Sequence, residues 1–323
     1  MTPYVSIYYK KLLQYNIFHF QVKILKFIIH ILSYKIRIMR IGLIALIILI
    51  WTGYSNAQNL LEWHELTEIS TKIPKEIKVF KANGKINGDT ITAYYSKTDI
   101  RKGNLMFSPL YNKTNLKPEK FYEQNPAETI LITNAGFFGT NVSYSLLINN
   151  STIYSPNIRA LTRSYNGQNT LYYPTRSGFG ITPSLSGTAD YVYTTIINNT
   201  YAYPNPSPNT TTQPPLPQPS SSFPENGYRW EVTDAVGGGP MLIRDSIINT
   251  NYSPELFYTD ITNSKAPRTA IGITSNRELI NLVVDGRQIH SVGVGLETLS
   301  EILLELGCTE AINLDGGGSS AIL

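Results

Sequence analysis

The sequence predicts an α+β fold: a mixed β-sheet core with few helices, including a C-terminal strand-helix-strand crossover unit. Short runs rich in tyrosine, threonine and β-branched residues recur along the chain, separated by Asn-Gly and similar turns. Such runs are typical of strands and hairpins. One strong helical pattern occupies residues 296–306, and a predicted strand lies on each side of it. These two observations carry the prediction of the fold class.

The first 57 residues are predicted to be a leader. They contain seven basic side chains and no acidic one, and an apolar run at 41–51 is followed by small residues at 55–57. This order is typical of a signal peptide. An uncleaved anchor is the alternative, but a bilayer span needs about 20 apolar residues. We therefore predict a signal peptide at about 39–57 after an upstream extension at 1–38, and an exported protein, periplasmic or extracellular.

Removing the leader reverses the sign of the net charge. The whole chain has 27 Lys and Arg against 23 Asp and Glu, and seven of the basic residues precede residue 58, which leaves 20 against 23. This balance gives no support for a nucleic-acid or anionic-membrane partner. The single cysteine, Cys308, excludes an internal disulfide, and only His64 and His290 follow the leader. A multi-histidine zinc site is therefore not expected.

Residues 58–129 are predicted to be an N-terminal strand-rich region. Residues 77–80 and 90–95 read as strands, with turns expected at Asn83-Gly84 and Asn87-Gly88-Asp89. The next apolar run, Thr129-Ile-Leu-Ile-Thr, is predicted to be a buried strand, and it leads into a glycine-containing segment at 134–139.

The C-terminal part of the sequence is the most informative. Residues 268–274 and 279–284 are predicted to pair as a hairpin, and the helix at 296–306 is followed by a strand at 311–314. A strand–helix–strand crossover gives parallel strands in nearly all cases. Asp285 and Asp315 would then follow strands that end at the same edge of one sheet, where ligands bind in such folds.

Three strand ends are rich in glycine. They are Asn134-Ala-Gly-Phe-Phe-Gly, Gly237-Gly-Gly-Pro and Asp315-Gly-Gly-Gly-Ser-Ser. Each alone could be an ordinary turn with a capping side chain. Their combination with Arg268 and Asp285 in a weakly charged chain instead indicates a site for a polyol or an anion.

These motifs resemble the phosphodiester glycosidase family. The resemblance rests on Ala266-Pro-Arg-Thr-Ala-Ile-Gly, the Asp285-Gly-Arg-Gln turn, the helix and Ala311-Ile-Asn-Leu-Asp-Gly-Gly-Gly-Ser, and is supported by 134–138 and 237–240. It covers about 130–323, which is therefore expected to be a phosphodiester glycosidase domain. The eight-proline segment at 203–227 is then predicted to be an exposed insertion within this domain rather than a linker. Members of the family usually continue past the last motif, whereas this sequence ends at Leu323.

The resemblance implies a hydrolase that cuts between the anomeric carbon of a sugar and a phosphate oxygen, in a substrate like an N-acetylglucosamine-1-phosphodiester or a phosphate-containing polysaccharide. Arg268 would hold the phosphate with its bidentate fork. Asp315 would attack C1 or activate water, and Asp285 would bind sugar hydroxyls or act as the partner acid. The two aspartates could exchange these roles, and His290 is either a general acid or a solvated loop residue.

The other candidates would contact sugar or phosphate through backbone N–H groups, amides or hydroxyls. They are Asn134, Gly136, Gly238, Gly239, Gly286, Gly316, Gly317, Gly318, Ser319 and Ser320. No cofactor or metal is expected. The oxygens of Asp285, Asp315 and Asn134 would suit Ca²⁺ or Mg²⁺, but no spaced acidic loop supports such a site.

Two other functions remain open at this point. The same site could break the P–O bond and act as a phosphodiesterase. A protein of another class, which binds polysaccharide or assists exopolysaccharide assembly without turnover, would use the many tyrosines to stack on sugars. Reaction products separate the first two functions, and saturable binding without any product would support the third.

Overall fold

The computed structural model describes residues 60–124 and 128–323, together with residues 23–26, 30 and 32 of the predicted leader. The predicted signal peptide lies outside the described residues. The chain divides into two units, Met1–Gln58 and Asn59–Leu323, and the fold below is that of the second. No helix among the described residues has the length and apolar character that crossing a bilayer requires.

Strands dominate the described part of the second unit, which confirms the predicted α+β class with few helices. In chain order the strands are β1 (Trp63–Glu65), β2 (Ile77–Ile86), β3 (Asp89–Thr98), β4 (Phe138–Gly139), β5 (Val142–Ser143), β6 (Leu147–Asn149), β7 (Thr152–Ser155), β8 (Leu161–Tyr165), β9 (Gln168–Tyr172), β10 (Arg176–Ile181), β11 (Gly187–Thr194), β12 (Thr200–Tyr203), β13 (Tyr228–Arg229), β14 (Asp234–Gly237), β15 (Met241–Arg244), β16 (Ile247–Ile248), β17 (Arg268–Thr274), β18 (Leu279–Val284) and β19 (Cys308–Asn313). The helices are α1 (Thr67–Ser70), α2 (Pro118–Gln124), α3 (Thr259–Asn263) and α4 (Leu296–Glu305), with 3₁₀ turns at Ser253–Glu255 and Gly317–Ser319.

The C-terminal motifs lie in an eight-stranded sheet with the order β1-β2-β3-β18-β17-β19-β15-β16. The predicted hairpin is confirmed, because β17 pairs antiparallel with β18 from Arg268 opposite Val284 onwards. Strand β19 is antiparallel to the other side of β17. Strands β18 and β19 therefore run parallel, joined by α4, and the predicted crossover unit is confirmed. Strand β3 pairs with β18, so residues 63–98 contribute to the same sheet.

Helix α4 covers one face of this sheet. Leu296, Leu299, Ile302 and Leu303 are buried against sheet residues that include Leu282. Burial of each such side chain contributes about 1.5–3 kcal/mol relative to exposure. The predicted stop after the helix is also present, since Gly307 has a φ of +87°. The apolar spacing of the sequence thus specified both the helix and its inward face.

A second sheet of seven strands, β13-β12-β11-β10-β14-β6-β7, packs on the opposite face of the first. Successive side chains of a strand point to opposite faces of its sheet. One face of the eight-stranded sheet therefore packs against α4, and the other packs against the second sheet. In β17, Ala270 faces the α4 side, whereas Ile271 joins Phe179, Tyr191 and Val236 between the sheets. The segment 203–227 connects β12 to β13 of this second sheet.

Two local predictions were wrong. Residues 129–133 are half-exposed and form a short ladder with the last residues of the chain, in which the Ile132 N–H donates to the Leu323 carbonyl over 3.0 Å. The apolar run did not distinguish such an edge segment from a core strand. Asn83-Gly84 lies inside β2, and the hairpin turn is Asn87-Gly88, because these residues have the positive φ values, 50° and 88°, that a tight hairpin turn requires.

One buried carboxyl group makes the stability of the fold depend on pH. Burial raises the pKa of Glu310, on β19, to about 7, although the Asp245 N–H donates to its Oε1. The unfolded chain ionises this group near its ordinary value of about 4.3. The folded state holds the proton more tightly, so the free energy of unfolding should decrease as the pH rises from about 4.3 to about 7.

Replacing Glu310 by Gln should remove this decrease, because glutamine keeps the acceptor for the Asp245 N–H but carries no charge. The difference between the folded and unfolded pKa values corresponds to at most about 4 kcal/mol, which we reduce to about 1 kcal/mol because the group is partly solvated. We expect Tm at pH 8 to rise by about 2–4 °C and Tm at pH 4 to stay unchanged. An equal change of Tm at both pH values in thermal melts would contradict the prediction.

Candidate active site

Three chain segments meet at one edge of the eight-stranded sheet. Strand β18 ends next to Asp285, β19 ends two residues before Asp315, and β17 begins between them at Arg268. In register, Arg268 is opposite Val284 and Ala270 is opposite Asn313. The prediction that both aspartates follow strands that end at one edge is confirmed. The crossover through α4 produces this arrangement.

Asp285 is half-buried, with 38% of its side chain exposed. Its Oδ1 accepts the Gly286 N–H over 2.7 Å, and its Oδ2 lies 2.8 Å from Nε2 of His290. The Ser291 hydroxyl donates to the Asp285 carbonyl over 2.6 Å, which fixes the loop that carries the histidine. The structure therefore pairs His290 with a candidate catalytic carboxylate, and its role in proton transfer stays a prediction.

Asp315 is half-buried and is fixed by hydrogen bonds of its side chain and its backbone. Its Oδ1 accepts the Gly316 N–H over 2.9 Å, and its N–H donates to the Ala135 carbonyl over 3.0 Å. Burial raises the pKa of Asp315, while hydrogen bonds from the Ser319 hydroxyl and the Gly316 N–H act in the opposite direction. A carboxylate with a raised pKa is a stronger base while it is still ionised at neutral pH.

The side-chain amide of Asn134 makes four hydrogen bonds to protein atoms around Asp315. Its Oδ1 accepts from the Thr269 hydroxyl over 2.7 Å and from the Ala321 N–H over 3.0 Å. Its Nδ2 donates to the Asp315 carbonyl over 2.8 Å and to the Ala135 carbonyl over 3.4 Å. A side-chain amide offers two donors and an acceptor with two lone pairs. This geometry gives Asn134 a positioning role, and a direct contact with substrate stays a prediction.

Two arginines lie beside the aspartate turns. Arg268 is only 3% exposed, and it donates from Nε to the Val294 carbonyl over 3.1 Å and from Nη2 to the Ser264 carbonyl over 2.5 Å. Burial and, secondarily, the charge of Arg287 lower the pKa of Arg268 to about 10. Arg287 is exposed, and its guanidinium nitrogens lie 3.3 and 3.4 Å from where a Cβ on Gly317 would stand.

Arg287 is the functional candidate that sequence reasoning missed. It lies in the Asp285-Gly-Arg-Gln motif, but nothing local distinguishes it from a solvated turn residue. Its φ of 59° is uncommon for a residue other than glycine, and it turns the chain at this point. The signal that could have found it is its position two residues after a candidate catalytic aspartate.

The glycines of the two aspartate turns pack around Pro267. A Cβ on Gly316 would lie 2.8 Å from the Pro267 carbonyl oxygen, and a Cβ on Gly286 would lie 2.6 Å from the Pro267 nitrogen. The Gly317 N–H donates to the same carbonyl over 2.9 Å. The N–H groups of Gly286, Gly316 and Gly317 are therefore used within the protein, and a contact of Gly318 with substrate stays a prediction.

The glycines farther along the edge also have packing roles. A Cβ on Gly136 would stand 2.2 Å from the Gly237 carbonyl oxygen, and a Cβ on Gly238 would stand 2.4 Å from that of Asn313. The Gly239 N–H donates to the Asn313 carbonyl over 2.7 Å. Contacts of Gly136, Gly238 and Gly239 with substrate stay predictions. The Ser320 hydroxyl is buried and has no hydrogen-bond partner in the described part of the chain, and its contact with substrate stays a prediction.

A cavity of about 770 Å³ opens on the other side of Asp315. Asn134, Ala135 and Leu314 also line it, and the segment 104–112 forms part of its wall. Its volume lies within the range of small-molecule sites, about 300–1,000 Å³. Among the described residues, no cluster of three or more His, Cys, Asp or Glu side chains that could hold a metal is found. That the protein works without a cofactor stays a prediction.

The fold and this edge define the class of site: two carboxylates and two arginines are gathered at the strand ends of an α+β fold. The chain belongs to the phosphodiester glycosidase family, since the model of that family matches residues 127–323. The family model thus covers the whole candidate site.

Three individual proteins show how far the similarity extends. An SPbeta prophage-derived uncharacterized protein, YomE of Bacillus subtilis strain 168, is 45% identical over 82 residues, which are 25% of this chain and 12% of that protein. A hypothetical protein from Synechocystis shares the fold, with a TM-score of 0.51 and 19% identity over 77% of this chain and 58% of that one. The catalytic domain of zebrafish N-acetylglucosamine-1-phosphodiester alpha-N-acetylglucosaminidase, auto-inhibited by its pro-peptide, gives a TM-score of 0.48 and 16% identity over 83% of this chain and 75% of that one.

Proposed function

We propose that this protein is an exported glycosidase that hydrolyses the C1–O bond of a sugar-1-phosphodiester. An N-acetylglucosamine-1-phosphodiester is the model substrate, and a phosphate-containing polysaccharide is the natural class. The observation that carries the proposal is the placement of Asp315, Asp285 and two arginines at one sheet edge in a phosphodiester glycosidase.

Asp315 acts on the anomeric carbon, either as the nucleophile or as the base that activates water. The C1–O bond breaks, the phosphate monoester leaves with the bonding electrons, and water supplies the new hydroxyl at C1. A phosphate monoester is a good leaving group, so an acid contributes less than a cation that stabilises its charge. The raised pKa of Asp315 increases its basicity, and Asn134 holds its backbone in place.

Arg287 and Arg268 supply the positive charge for the leaving phosphate. Arg287 is exposed beside Gly317 and can present its planar fork to phosphate oxygens. Arg268 adds its charge from a buried position, where two of its five N–H donors hold Val294 and Ser264. Asp285, paired with His290, binds sugar hydroxyls or returns a proton, and the two aspartates could still exchange roles.

The products of an N-acetylglucosamine-1-phosphodiester test the proposal. Incubation with purified residues 58–323, followed by NMR, should show free N-acetylglucosamine and a new phosphate monoester. Sugar-1-phosphate in their place would show that the enzyme is a phosphodiesterase. Saturable binding with no product from a folded protein would support a polysaccharide-binding role instead.

The pH dependence of kcat/KM distinguishes the two roles of Asp315. If Asp315 works as nucleophile or base, its carboxylate must be ionised, and burial has raised its pKa. Activity should then fall on the acidic side, with the fall centred above the ordinary aspartate value of about 3.9. If Asp315 were the acid, activity would instead be lost as the pH rises through the same pKa. A pH–rate profile with a phosphodiester whose charge is constant over the pH range distinguishes these outcomes.

A further inference from the structure

The large cavity beside Asp315 has walls that are unlike the aspartate turns. Apolar residues of the segment 104–112, among them Leu105, Met106 and Phe107, line it together with Leu147 and Leu314, and uncharged polar residues such as Asn104 and Asn281 lie between them. Asp315 and Asn134 are among the residues that line it. The cavity is therefore continuous with the candidate site through the residue that we place at the anomeric carbon.

The charges on the two sides of Asp315 differ. Of the described residues that line the cavity, none is a lysine or an arginine, and the acidic residues among them are Glu128 and Asp315. Both arginines of the candidate site, Arg268 and Arg287, lie by Gly316 and Gly317 instead. A phosphodiester is bound best by cations, so the side of Asp315 with the two arginines suits the phosphate better than the cavity does.

We propose that the cavity receives the uncharged acyl substituent of the sugar, and that the preferred substrate is an amino sugar whose N-acyl chain is longer than acetyl. This inference rests on the proposed function, because it uses Asp315 as the point at which C1 is attacked. The phosphate then lies over the Arg287 side, the ring lies at Asp315, and the acyl chain extends between Met106, Phe107 and Leu147. An acetyl group alone would leave most of a 770 Å³ cavity unfilled.

A series of substrates with one leaving group tests the proposal. We would compare methyl phosphodiesters of N-acetyl-, N-butanoyl- and N-hexanoylglucosamine by their kcat/KM values. Each pair of added methylene groups should raise kcat/KM about 15-fold, because each buried methylene contributes a factor of about four. Hydrolysis at equal kcat/KM for all three would overturn the cavity proposal and leave the proposed function intact.

Two exposed aliphatic residues provide a matched pair of variants. Met106 is 86% exposed and lines the cavity, whereas Ile196 is 81% exposed on the β11–β12 turn and does not line it. Met106→Asp places a charge in the wall with little risk to folding and should flatten the dependence on chain length. Ile196→Asp should leave that dependence as in the wild type. Equal behaviour of the two variants would contradict the placement of the acyl chain.

Binding separates a failure of this proposal from a failure of the proposed function. Calorimetry with the three free N-acylglucosamines needs no turnover. Affinity that rises with chain length in the absence of any hydrolysis would keep the cavity assignment and overturn the glycosidase activity. Affinity that does not change with chain length would overturn the cavity assignment, whether or not the diesters are hydrolysed.

Discussion

Asp315→Asn should lower kcat/KM for an N-acetylglucosamine-1-phosphodiester by at least about 10³-fold while the protein stays folded. Asparagine has nearly the same shape and keeps an acceptor for the Gly316 N–H, which now binds Oδ1 over 2.9 Å. It cannot be ionised, so it can neither attack C1 nor take a proton from water. Because burial disfavours the charge of Asp315, its loss should leave Tm unchanged or slightly higher.

Asp234→Asn is the matched control for this variant. The Asp234 carboxylate also accepts a backbone N–H, that of Asn150 over 3.0 Å, and the residue lies in the second sheet opposite Ile181. Its replacement should leave kcat/KM within about twofold of the wild type, since surface substitutions away from special features have small effects. Steady-state kinetics and thermal melts measure both variants. An Asp315→Asn protein with near wild-type turnover would refute the mechanism.

Arg287→Ala should reduce kcat/KM for the phosphodiester by about 10²- to 10³-fold, the size of effect seen when one preorganised donor to a developing charge is removed. The same variant should lose less than about threefold on an aryl glycoside, because that leaving group carries no phosphate. The reason is the position of the guanidinium, 3.3 Å from the Cβ position of Gly317 in the glycine turn after Asp315.

Arg277→Ala is the control for Arg287→Ala, because it also removes one positive charge from a residue with a positive φ. Arg277 is exposed and has a φ of 62°, against 59° for Arg287, but it lies on the turn between β17 and β18 at the opposite end of that hairpin. We expect wild-type kinetics on both substrates from Arg277→Ala. Equal losses on the phosphodiester and the aryl glycoside for Arg287→Ala would exclude Arg287 from phosphate recognition.

The parts of the fold that could be predicted are those whose signal is local. The hairpin of β17 and β18 and the helix α4 follow from spacing within about 40 residues, and each buries the face that the pattern indicated. The parallel relation of β18 and β19 then follows from the crossover. In contrast, the apolar run at 129–133 looks like a core strand, because a single sequence does not show that its partners are the last residues of the chain.

The candidate site was predictable in outline and less so in detail. Asp285 and Asp315 could be placed together because strand ends set their positions. The position of Arg287 could not be predicted, because its charge reaches the site only through the approach of its turn to Gly317. Asn134 was expected to contact the substrate, but its side chain makes four hydrogen bonds to protein atoms. Three of these bonds are to Thr269, Asp315 and Ala321, which are distant from Asn134 in the sequence. Such tertiary contacts leave no periodic signal in the sequence.

The central claim is that the enzyme breaks the bond between C1 and oxygen rather than a bond between phosphorus and oxygen. Hydrolysis in ¹⁸O-enriched water tests it most directly, because cleavage of the P–O bond next to the sugar would give the same two products. Mass spectrometry of products from short incubations should find ¹⁸O in the sugar and none in the phosphate monoester. The label in the phosphate would contradict the glycosidase mechanism and the role of Asp315 at the anomeric carbon.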